Sequence, residues 1–514
     1  MLTNILQYLD ETARRVPDKT AFSDGRTSLT FRELDRISRC IGSALCRLGY
    51  SREPVAVLME RSPAEVAAFL GIVRAGCFYA ALDSAMPEAR MGQILHTLTP
   101  RLLICDRRSR PRADALTESG ALTGCVLSFE ELREAEVDES SLAAVRAAAV
   151  DQDPMYVVFT SGSTGIPKGV AACHRSVIDY TEALCEAIGF SEETVFANQT
   201  PLYFDAPLKE IMPTLKYGAT TYLVPRMLFS FPVPLCDFLN DHKVNTVCWV
   251  VSALTMISSF GVLESHPPRY LTTVCFGSEV FPRPQYDRWR TALPGARFFN
   301  LYGPTEATGM SCWWHADRTL APDEPIPIGK PFRNTDILLL AEDDHGVRRI
   351  PQQEQDTEGE ICIRGTCVTL GYYRDPERTA AAFVQNPLQS AFPEIIYRTG
   401  DIGRYNAHGE LVFVCRRDAQ IKILGHRVEL GEIEAAVASA VRSACCVYDA
   451  AQTRLILYYT GDPDVTPDRL RQVLTGRLPR YMMPSRLIRL EALPLTPNGK
   501  IDRRTLTQAS EAEK

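Results

Sequence analysis

The chain has 514 residues, which is longer than one ordinary domain, so we expect two or more domains. Its composition of 45% hydrophobic and 23% charged residues is typical of a globular enzyme and excludes a disordered or fibrous protein. The net charge of −7 comes without a basic block, which argues against a nucleic-acid-binding surface. Any anion must therefore be bound by local groups rather than by the overall field.

The 16 cysteines are scattered, without a C-x-x-C pair or histidines at metal-binding spacing. The N-terminal residues lack the pattern of a secretory leader, so the cysteines indicate reduced thiols and we expect a cytoplasmic enzyme. No apolar stretch is long enough to cross a bilayer, and we expect no membrane insertion.

Helix and strand patterns alternate along the N-terminal third of the chain. Residues 55–58 and 76–83 are predicted as buried strands, with a helix over 64–74 between them. An earlier helix begins after Thr30, which stands at capping-box spacing from Glu33. This alternation predicts an α/β fold with parallel or mixed sheets covered by helices.

Residues 156–159 form a strand-like apolar run that leads into a loop of Thr, Ser and Gly. Small residues let backbone N–H groups approach an anion, and Lys168 adds a positive charge, so the composition predicts a phosphate-binding loop. Gly169 follows the lysine, so the spacing is not that of G-x-x-x-x-G-K-[ST]. A flexible Ser/Gly linker is the alternative. The predicted phosphate-binding residues are Thr160, Ser161, Gly162, Ser163, Thr164, Gly165 and Lys168.

The pattern changes in the second half of the chain. Buried strands are predicted at 246–251 and 271–276, and short strands with Gly-rich turns over about 325–415 predict a β-rich subdomain. A helix over 428–437 and a strand over 455–459 then indicate a small α+β domain.

We place the domain boundary near residues 415–418. This gives a large N-terminal domain of residues 1–415 and a small C-terminal domain of residues 416–514.

Six further motifs follow the loop in a fixed order. They are Phe204-Asp-Ala206, Asn300-Leu-Tyr-Gly-Pro-Thr-Glu306, Tyr397-Arg-Thr-Gly-Asp401, Arg416-Arg-Asp418, Gly425-His-Arg-Val-Glu-Leu-Gly-Glu432 and Pro497-Asn-Gly-Lys500. In this order they resemble the adenylate-forming superfamily, specifically the amino-acid-activating enzymes of nonribosomal peptide synthesis and D-alanine ligation. The resemblance extends from Leu29 to about Arg504.

The resemblance implies a reaction in two halves, with ATP and Mg²⁺ as cofactors. A carboxylate attacks the α-phosphate of ATP to give an acyl adenylate and pyrophosphate, and a thiol then takes the acyl group. By this resemblance Tyr302 stacks on adenine, Thr305 contacts the α-phosphate and Glu306 holds the metal. Asp401, assisted by Arg416, binds the ribose hydroxyls.

The same resemblance makes Lys500 the catalytic cation and Asp418 the hinge of a mobile C-terminal domain. Rotation about the hinge withdraws Lys500 and brings the loop around Gly425 to the site. Taken alone, Lys500 on its Pro-Asn-Gly turn is an ordinary solvated lysine. Cys415 stands where the family has a glycine before the hinge arginine.

Asp205 matches the position that pairs with the substrate's α-ammonium in amino-acid-activating members. Relatives that activate aryl or fatty acids lack this carboxylate, because it would be unpaired beside an apolar substrate. The alternative is a surface aspartate at the start of a helix. Alignment through the motifs of this resemblance predicts a substrate pocket lined by Ala206, Lys209, Trp249, Cys275, Gly277, Leu301, Gly309 and Met310.

Lys209 has two interpretations. A buried ammonium needs an anion, which suggests a substrate with an acidic side chain. Alternatively, its stem lies along the helix and its ammonium reaches solvent.

The leading hypothesis is activation of an amino acid and transfer to the phosphopantetheine thiol of a separate carrier protein. No carrier attachment site follows Lys500, so we expect a free-standing enzyme. One alternative is an acyl- or aryl-CoA ligase of the same fold, with coenzyme A as acceptor. The other is a catalytically silent sensor that binds a nucleotide or an amino acid.

Overall fold

The structure is a computed structural model. It describes residues 2–162, 165–344, 346–417, 420–450, 452–462, 464–495 and 501–512.

The helices are numbered in chain order. They are α1 (Leu6–Arg15), α2 (Phe31–Arg47), α3 (Pro63–Arg74), α4 (Glu88–Leu98), α5 (Arg110–Glu118), α6 (Phe129–Leu132), α7 (Glu139–Ala148), α8 (His174–Ile188), α9 (Leu208–Tyr217), α10 (Pro232–Asp241), α11 (Val251–Ser259), α12 (Val262–Ser265), α13 (Arg283–Ala292), α14 (Pro376–Ala382), α15 (Leu430–Val437), α16 (Pro467–Thr475) and α17 (Arg503–Ala512).

The strands are numbered in the same way. They are β1 (Thr20–Ser23), β2 (Ser28–Thr30), β3 (Pro54–Leu58), β4 (Phe78–Ala81), β5 (Leu102–Cys105), β6 (Cys125–Ser128), β7 (Pro154–Thr160), β8 (Lys168–Cys173), β9 (Val195–Asn198), β10 (Thr220–Leu223), β11 (Thr246–Val250), β12 (Thr273–Gly277), β13 (Arg297–Tyr302), β14 (Cys312–His315), β15 (Lys330–Pro331), β16 (Thr335–Asp343), β17 (Gly346–Arg349), β18 (Gly359–Gly365), β19 (Phe383–Gln385), β20 (Ile395–Tyr405), β21 (Leu411–Arg416), β22 (Gln420–Ile423), β23 (His426–Glu429), β24 (Ser443–Asp449), β25 (Arg454–Thr460) and β26 (Arg486–Arg489).

The predicted start of α2 is confirmed. The Thr30 hydroxyl accepts a hydrogen bond from the Glu33 N–H at 3.2 Å, and the Glu33 carboxylate accepts one from the Thr30 N–H at 2.9 Å. This reciprocal pair satisfies two N–H groups that the first helical turn leaves free. The predicted β3, α3 and β4 follow within a few residues of the expected bounds.

Two sheets form the frame of the N-terminal part. A six-stranded sheet has the order β6-β5-β3-β4-β7-β8, and its strands are parallel except for β8, which forms an antiparallel hairpin with β7. A nine-stranded sheet has the order β15-β14-β13-β12-β11-β9-β10-β1-β2, with parallel pairing from β13 to β1.

The largest hydrophobic core joins these two sheets. It contains inward residues of both, together with apolar faces of α1, α2, α3, α8 and α9. A second core covers the other face of the nine-stranded sheet with α10, α11 and α13. A fully buried parallel strand has apolar residues on both faces, which explains the continuous apolar runs in the sequence.

The predicted β-rich subdomain is confirmed. Strands β16 to β21 pair in an antiparallel sheet that follows the nine-stranded sheet in the chain. The predicted α/β fold class is also confirmed, because parallel and mixed sheets with helices lie beside this β-rich part.

The C-terminal part contains the hairpin β22–β23 and the sheet β24-β25-β26, with α15, α16 and α17. The helix predicted over 428–437 begins later, at Leu430. Val428 and Glu429 pair with Ile421 and Gln420 across the hairpin, so strand pairing overrides the helical pattern. The proposed boundary stays a prediction, and Asp418 lies outside the described residues.

None of the helices in the described ranges is long and apolar enough to cross a membrane.

Glu65 is a buried acid on α3, with 3% of its surface exposed. Burial raises its pKa to about 8, and the positive charge of Arg61 opposes this only in part. The folded state therefore binds a proton at Glu65 more tightly than the unfolded chain does. Stability from this group is full below its ordinary pKa of 4.5 and declines as the pH rises towards 8.

Glu65→Gln is expected to stabilise the protein at pH 8 by on the order of 1–3 kcal/mol and to change it little at pH 5. The glutamine removes the cost of ionising a buried carboxyl. Urea unfolding at the two pH values measures the difference. Glu118→Gln, at an exposed glutamate of α5, is the matched control. An equal effect of Glu65→Gln at both pH values would contradict this account.

Candidate active site

The predicted phosphate loop connects β7 to β8 at the end of the six-stranded sheet. Thr160 and Ser161 are buried, and the Ser161 hydroxyl donates to the Arg427 carbonyl at 2.6 Å. The Thr160 hydroxyl has no hydrogen-bond partner among the described residues. Such an orphaned buried group at a loop of this composition is available to a ligand.

Gly165 requires its glycine for two reasons. Its φ is +82°, and an added Cβ would lie 3.2 Å from the Cβ of Ala435 in α15. The loop is therefore packed closely against α15 at Gly165. Gly162 precedes it, whereas Ser163 and Thr164 lie outside the described residues.

Glu306 is the most densely contacted charge of the site. Its side chain is fully buried, and Arg427 Nη1 donates to its two oxygens at 2.9 and 3.0 Å. Lys168 Nζ lies 3.2 Å from Oε1, and the Tyr372 hydroxyl donates to the same oxygen at 2.7 Å. Four separate segments of the chain meet at this one carboxylate.

The electrostatics of this cluster explain why the carboxylate is charged although buried. Burial opposes ionisation of Glu306, but Arg427 and Lys168 hold its pKa well below the usual range. For Lys168, burial and the neighbouring Arg427 lower the pKa, and Glu306 opposes them. We call Glu306, Lys168, Arg427 and Tyr372 the Glu306 cluster. The charges of its members depend on one another.

The Glu306 cluster bears on the predicted metal ligand. Mg²⁺ in nucleotide sites is bound through one or two carboxylates together with waters and substrate phosphates, which makes Glu306 chemically suitable. Arg427 holds both of its oxygens, however, so the carboxylate does not fit Mg²⁺ in this domain arrangement. The described ranges contain no group of three or more His, Cys, Asp or Glu side chains that could hold a metal.

A second polar group is formed by Asp401, Arg416 and Tyr302. The Tyr302 hydroxyl donates to Asp401 Oδ2 at 2.5 Å, and Arg416 Nη1 donates to Oδ1 at 2.5 Å. Asp401 and Arg416 are register partners on β20 and β21, which explains the ion pair. The structure therefore brings together three residues predicted at the nucleoside end, while their contact with adenine and ribose stays a prediction.

Asp205 precedes α9 and is partly buried. Burial raises its pKa, although a hydrogen bond with Thr305 and the charge of Lys209 oppose this, and Glu306 adds to the rise. An added Cβ at Gly309 would lie 3.7 Å from Asp205 Oδ2. Asp205 thus lies near Thr305 and Gly309, two predicted site residues that follow it in the chain by about a hundred residues.

The remaining pocket residues lie mainly around one face of the nine-stranded sheet. Cys275, Leu301 and Met310 are buried in the core that joins the two sheets. Gly277 ends β12, where an added Cβ would lie 2.2 Å from the Leu301 carbonyl oxygen. Ala206 follows Asp205 in the turn before α9.

Trp249 lies on the opposite face of that sheet. It pairs in register with Phe276, so it alternates with Cys248, which pairs with Cys275. Its indole N–H donates to the Ala197 carbonyl at 2.6 Å, and the ring belongs to the second core. The structure therefore does not bring Trp249 together with Cys275, and places Cys248 there instead.

Lys209 is buried, with 4% of its surface exposed. The interpretation in which its ammonium reaches solvent is wrong. The first turn of α9 packs its residues from Leu208 to Met212 inward, so the stem has no path along an exposed face.

Sequence reasoning missed several residues of the site. Arg427 lies within a motif that was recognised, but its role depends on a fold-level contact with Glu306. Tyr372 and Cys248 reach the site from loop and strand positions that carry no motif. Lys422, on β22, has its pKa lowered by burial, and Asp401 is the strongest opposing charge. Lys500, predicted as the catalytic cation, lies outside the described residues.

Residues 9–373 match the model of the AMP-binding enzyme family. The chain therefore belongs to this family of adenylate-forming enzymes, which use ATP, and the predicted membership is confirmed. Tyrocidine synthase 1 from Brevibacillus parabrevis is 30% identical over 511 residues, which cover 98% of this chain. They cover 45% of that protein, so the chain spans less than half of its relative's length.

Two solved structures show the same fold. Holo-PA1221, described as an NRPS protein containing adenylation and PCP domains, has a TM-score of 0.80 at 26% identity and covers 99% of this chain and 84% of its own. The o-succinylbenzoate CoA synthetase (MenE) of Bacillus subtilis has a TM-score of 0.83 at 20% identity, with 99% and 98% covered. The similarity to MenE shows the fold alone. One fold is therefore found in an adenylation protein and in a CoA synthetase.

Arg427→Gln is expected to weaken docking of the C-terminal hairpin β22–β23 by about 3–5 kcal/mol. It removes the cation that reaches both oxygens of the buried Glu306 carboxylate from the hairpin. Hydrogen exchange of the hairpin amides measures the effect as faster exchange.

Arg480→Gln, at an exposed arginine, is the control and should leave the exchange unchanged. The effects of Arg427→Gln and Glu306→Gln should be less than additive in the double variant, because either change alone already breaks the same contact. Unchanged exchange in Arg427→Gln would show that the pair does not hold the two parts together.

Proposed function

We propose that this protein activates an amino acid with ATP as an aminoacyl adenylate, releasing pyrophosphate. It then transfers the aminoacyl group to the phosphopantetheine thiol of a separate carrier protein. The observation that carries this proposal is Asp205, a carboxylate beside Thr305 and close to the Glu306 cluster, whose pKa is raised by burial.

A raised pKa means that the ionised form of Asp205 lacks sufficient compensation in the protein. The α-ammonium of an amino acid supplies the missing cation and gains a charge-assisted hydrogen bond. An apolar carboxylic acid supplies nothing, so Asp205 favours amino acids over aryl or fatty acids. Tyr156 lies near the same carboxylate, and its buried hydroxyl has no partner in the described part of the chain.

The neighbouring groups support the adenylation half. The loop from Thr160 to Lys168 suits the pyrophosphate end of ATP, and Asp401 with Arg416 suits the ribose. Thr305 is a hydrogen-bond partner of Asp205 and directly precedes Glu306 in the chain, which suits contact with the α-phosphate. Catalysis of this step needs positioning and charge neutralisation rather than a protein nucleophile.

Glu306 would hold Mg²⁺ only when Arg427 has left its oxygens, and the ion would then neutralise phosphate charge. The arrangement with Arg427 on Glu306 suits the half-reaction that follows loss of pyrophosphate. In our proposal Lys500, on the C-terminal domain that turns about Asp418, serves the first half-reaction as the cation between carboxylate and α-phosphate.

Transfer to a carrier protein is supported by the similarity to PA1221, which is described as containing adenylation and PCP domains. A CoA ligase of the same fold is the second candidate, favoured by the likeness in fold to MenE. Asp205 supports the amino acid enzyme over the CoA ligase.

Asp205→Asn is expected to raise KM for the preferred amino acid by about 10- to 100-fold, because a charge-assisted hydrogen bond of about 1.5–3 kcal/mol is lost. The asparagine keeps the shape and the partner Thr305. ATP–pyrophosphate exchange over amino acids of both hands measures this. Asp237→Asn, at an exposed aspartate of α10, is the control. An unchanged KM would sink the role of Asp205 in binding the ammonium.

The acceptor is tested separately with the preferred amino acid, ATP and either coenzyme A or a holo carrier protein. We expect a thioester on the holo carrier, none on the apo carrier, and little acyl-CoA. Mass spectrometry of the carrier and chromatography of the CoA fraction measure the products. Equal or faster acylation of coenzyme A would favour the CoA ligase, and absence of any adenylate would favour a silent sensor.

A further inference from the structure

The pocket beside Asp205 contains a buried cation that the activation chemistry does not use. Lys209 lies four residues after Asp205, at the start of α9, and is 4% exposed. In the described part of the chain it forms no salt bridge within 4.0 Å. A buried ammonium without an anion costs several kcal/mol, so its partner has to be identified.

Glu210 is adjacent but does not neutralise Lys209. Burial raises the pKa of Glu210 to about 8, although Lys209 opposes the rise, so the acid is mainly protonated at neutral pH. Its Oε2 accepts a hydrogen bond from the Asn198 amide at 3.4 Å, while Oε1 has no partner among the described residues. A neutral carboxylic acid leaves the charge of Lys209 uncompensated.

Asp205 does not neutralise Lys209 either. Within the described ranges, no salt bridge within 4.0 Å joins the Asp205 carboxylate and the Lys209 ammonium. Burial raises the pKa of Asp205, and the charge of Lys209 opposes this rise without cancelling it. Asp205 is thus short of a cation while Lys209 is short of an anion. The two side chains lie near each other without forming an ion pair.

The neighbours of Asp205 fix which end of a substrate faces Lys209. Thr305 and Glu306 act on Asp205 from the side of the phosphate loop. Lys209 also acts on the Cys248 thiol, which lies on β11 at the sheet face of the pocket. The α-carboxylate must face the phosphate side, so the substrate side chain extends towards Lys209.

A second lysine, Lys422, is half-buried and belongs to the other end. Asp401 is the charge that acts on it most strongly in favour of its protonated form, ahead of Asp205. Lys422 therefore lies towards the nucleoside end, and Lys209 remains the cation of the side-chain end.

We propose that Lys209 selects an amino acid with a carboxylate in its side chain, such as aspartate, glutamate or a longer homologue of either hand. The inference rests on the proposed activation of an amino acid. The substrate's ammonium pairs with Asp205 and its side-chain carboxylate pairs with Lys209, so both protein charges are satisfied by one ligand. A neutral side chain would leave Lys209 buried and unpaired.

The test is ATP–pyrophosphate exchange with matched acid and amide pairs, glutamate against glutamine and aspartate against asparagine, in both hands. We expect the acid of the preferred length to exceed its amide by about 10- to 100-fold in kcat/KM, as for one charge-assisted contact. This comparison uses the unaltered enzyme and therefore does not depend on a variant that folds.

The role of Lys209 is tested by Lys209→Met, which keeps the length and removes the charge. It should lose the preference for the acid by the same factor and accept the amide or another neutral analogue better. Lys209→Arg should retain part of the preference. Lys216→Met is the control on the same helix, because Lys216 pairs with Glu182 at 2.7 Å away from the pocket.

The outcomes separate this inference from the proposed function. A neutral amino acid preferred by the unaltered enzyme, or an unchanged acid preference in Lys209→Met, overturns the role of Lys209 and leaves amino acid activation standing. Exchange with a carboxylic acid that has no amino group, and with no amino acid, overturns the proposed function itself.

Discussion

The buried carboxylate of Glu306 is the interaction on which the rest of the site depends. Lys168 from the phosphate loop, Tyr372 from the β-rich subdomain and Arg427 from the C-terminal hairpin converge on it. A charge removed from water is stable only with such partners, so each segment is held where the carboxylate needs it. The same carboxylate joins the start of β8, at Lys168, to the C-terminal hairpin β22–β23, at Arg427.

The predicted substrate pocket differs from the Glu306 cluster in how its charges are neutralised. Around Glu306 the protein supplies the countercharges, whereas Asp205 and Lys209 form no salt bridge within 4.0 Å in the described part of the chain. Uncompensated buried charges are costly, and they persist at sites where a ligand completes them. The contrast separates a cluster that organises the protein from a pair that, in our proposal, recognises a substrate.

Much of the fold followed from pattern alone, because buried strands and capped helices carry local signals, as at Thr30 and Glu33. The error at Val428 arose where pairing across a hairpin overrode a helical pattern. Trp249 was assigned to the pocket by alignment through the family motifs, but strand alternation turns it to the other face. Such outcomes depend on which neighbour a residue meets, and local sequence does not contain that information.

By itself the sequence determined the family, the order of the motifs and the residues that are predicted to contact phosphate, nucleoside and ammonium. These are properties of short segments, and their chemistry can be inferred without knowledge of the tertiary contacts. The tertiary structure decided that Arg427 occupies Glu306, that Cys248 shares a face with Cys275, and that Lys209 is buried rather than solvated. Burial and charge pairing join residues far apart in the chain, so they exist only once the chain has folded.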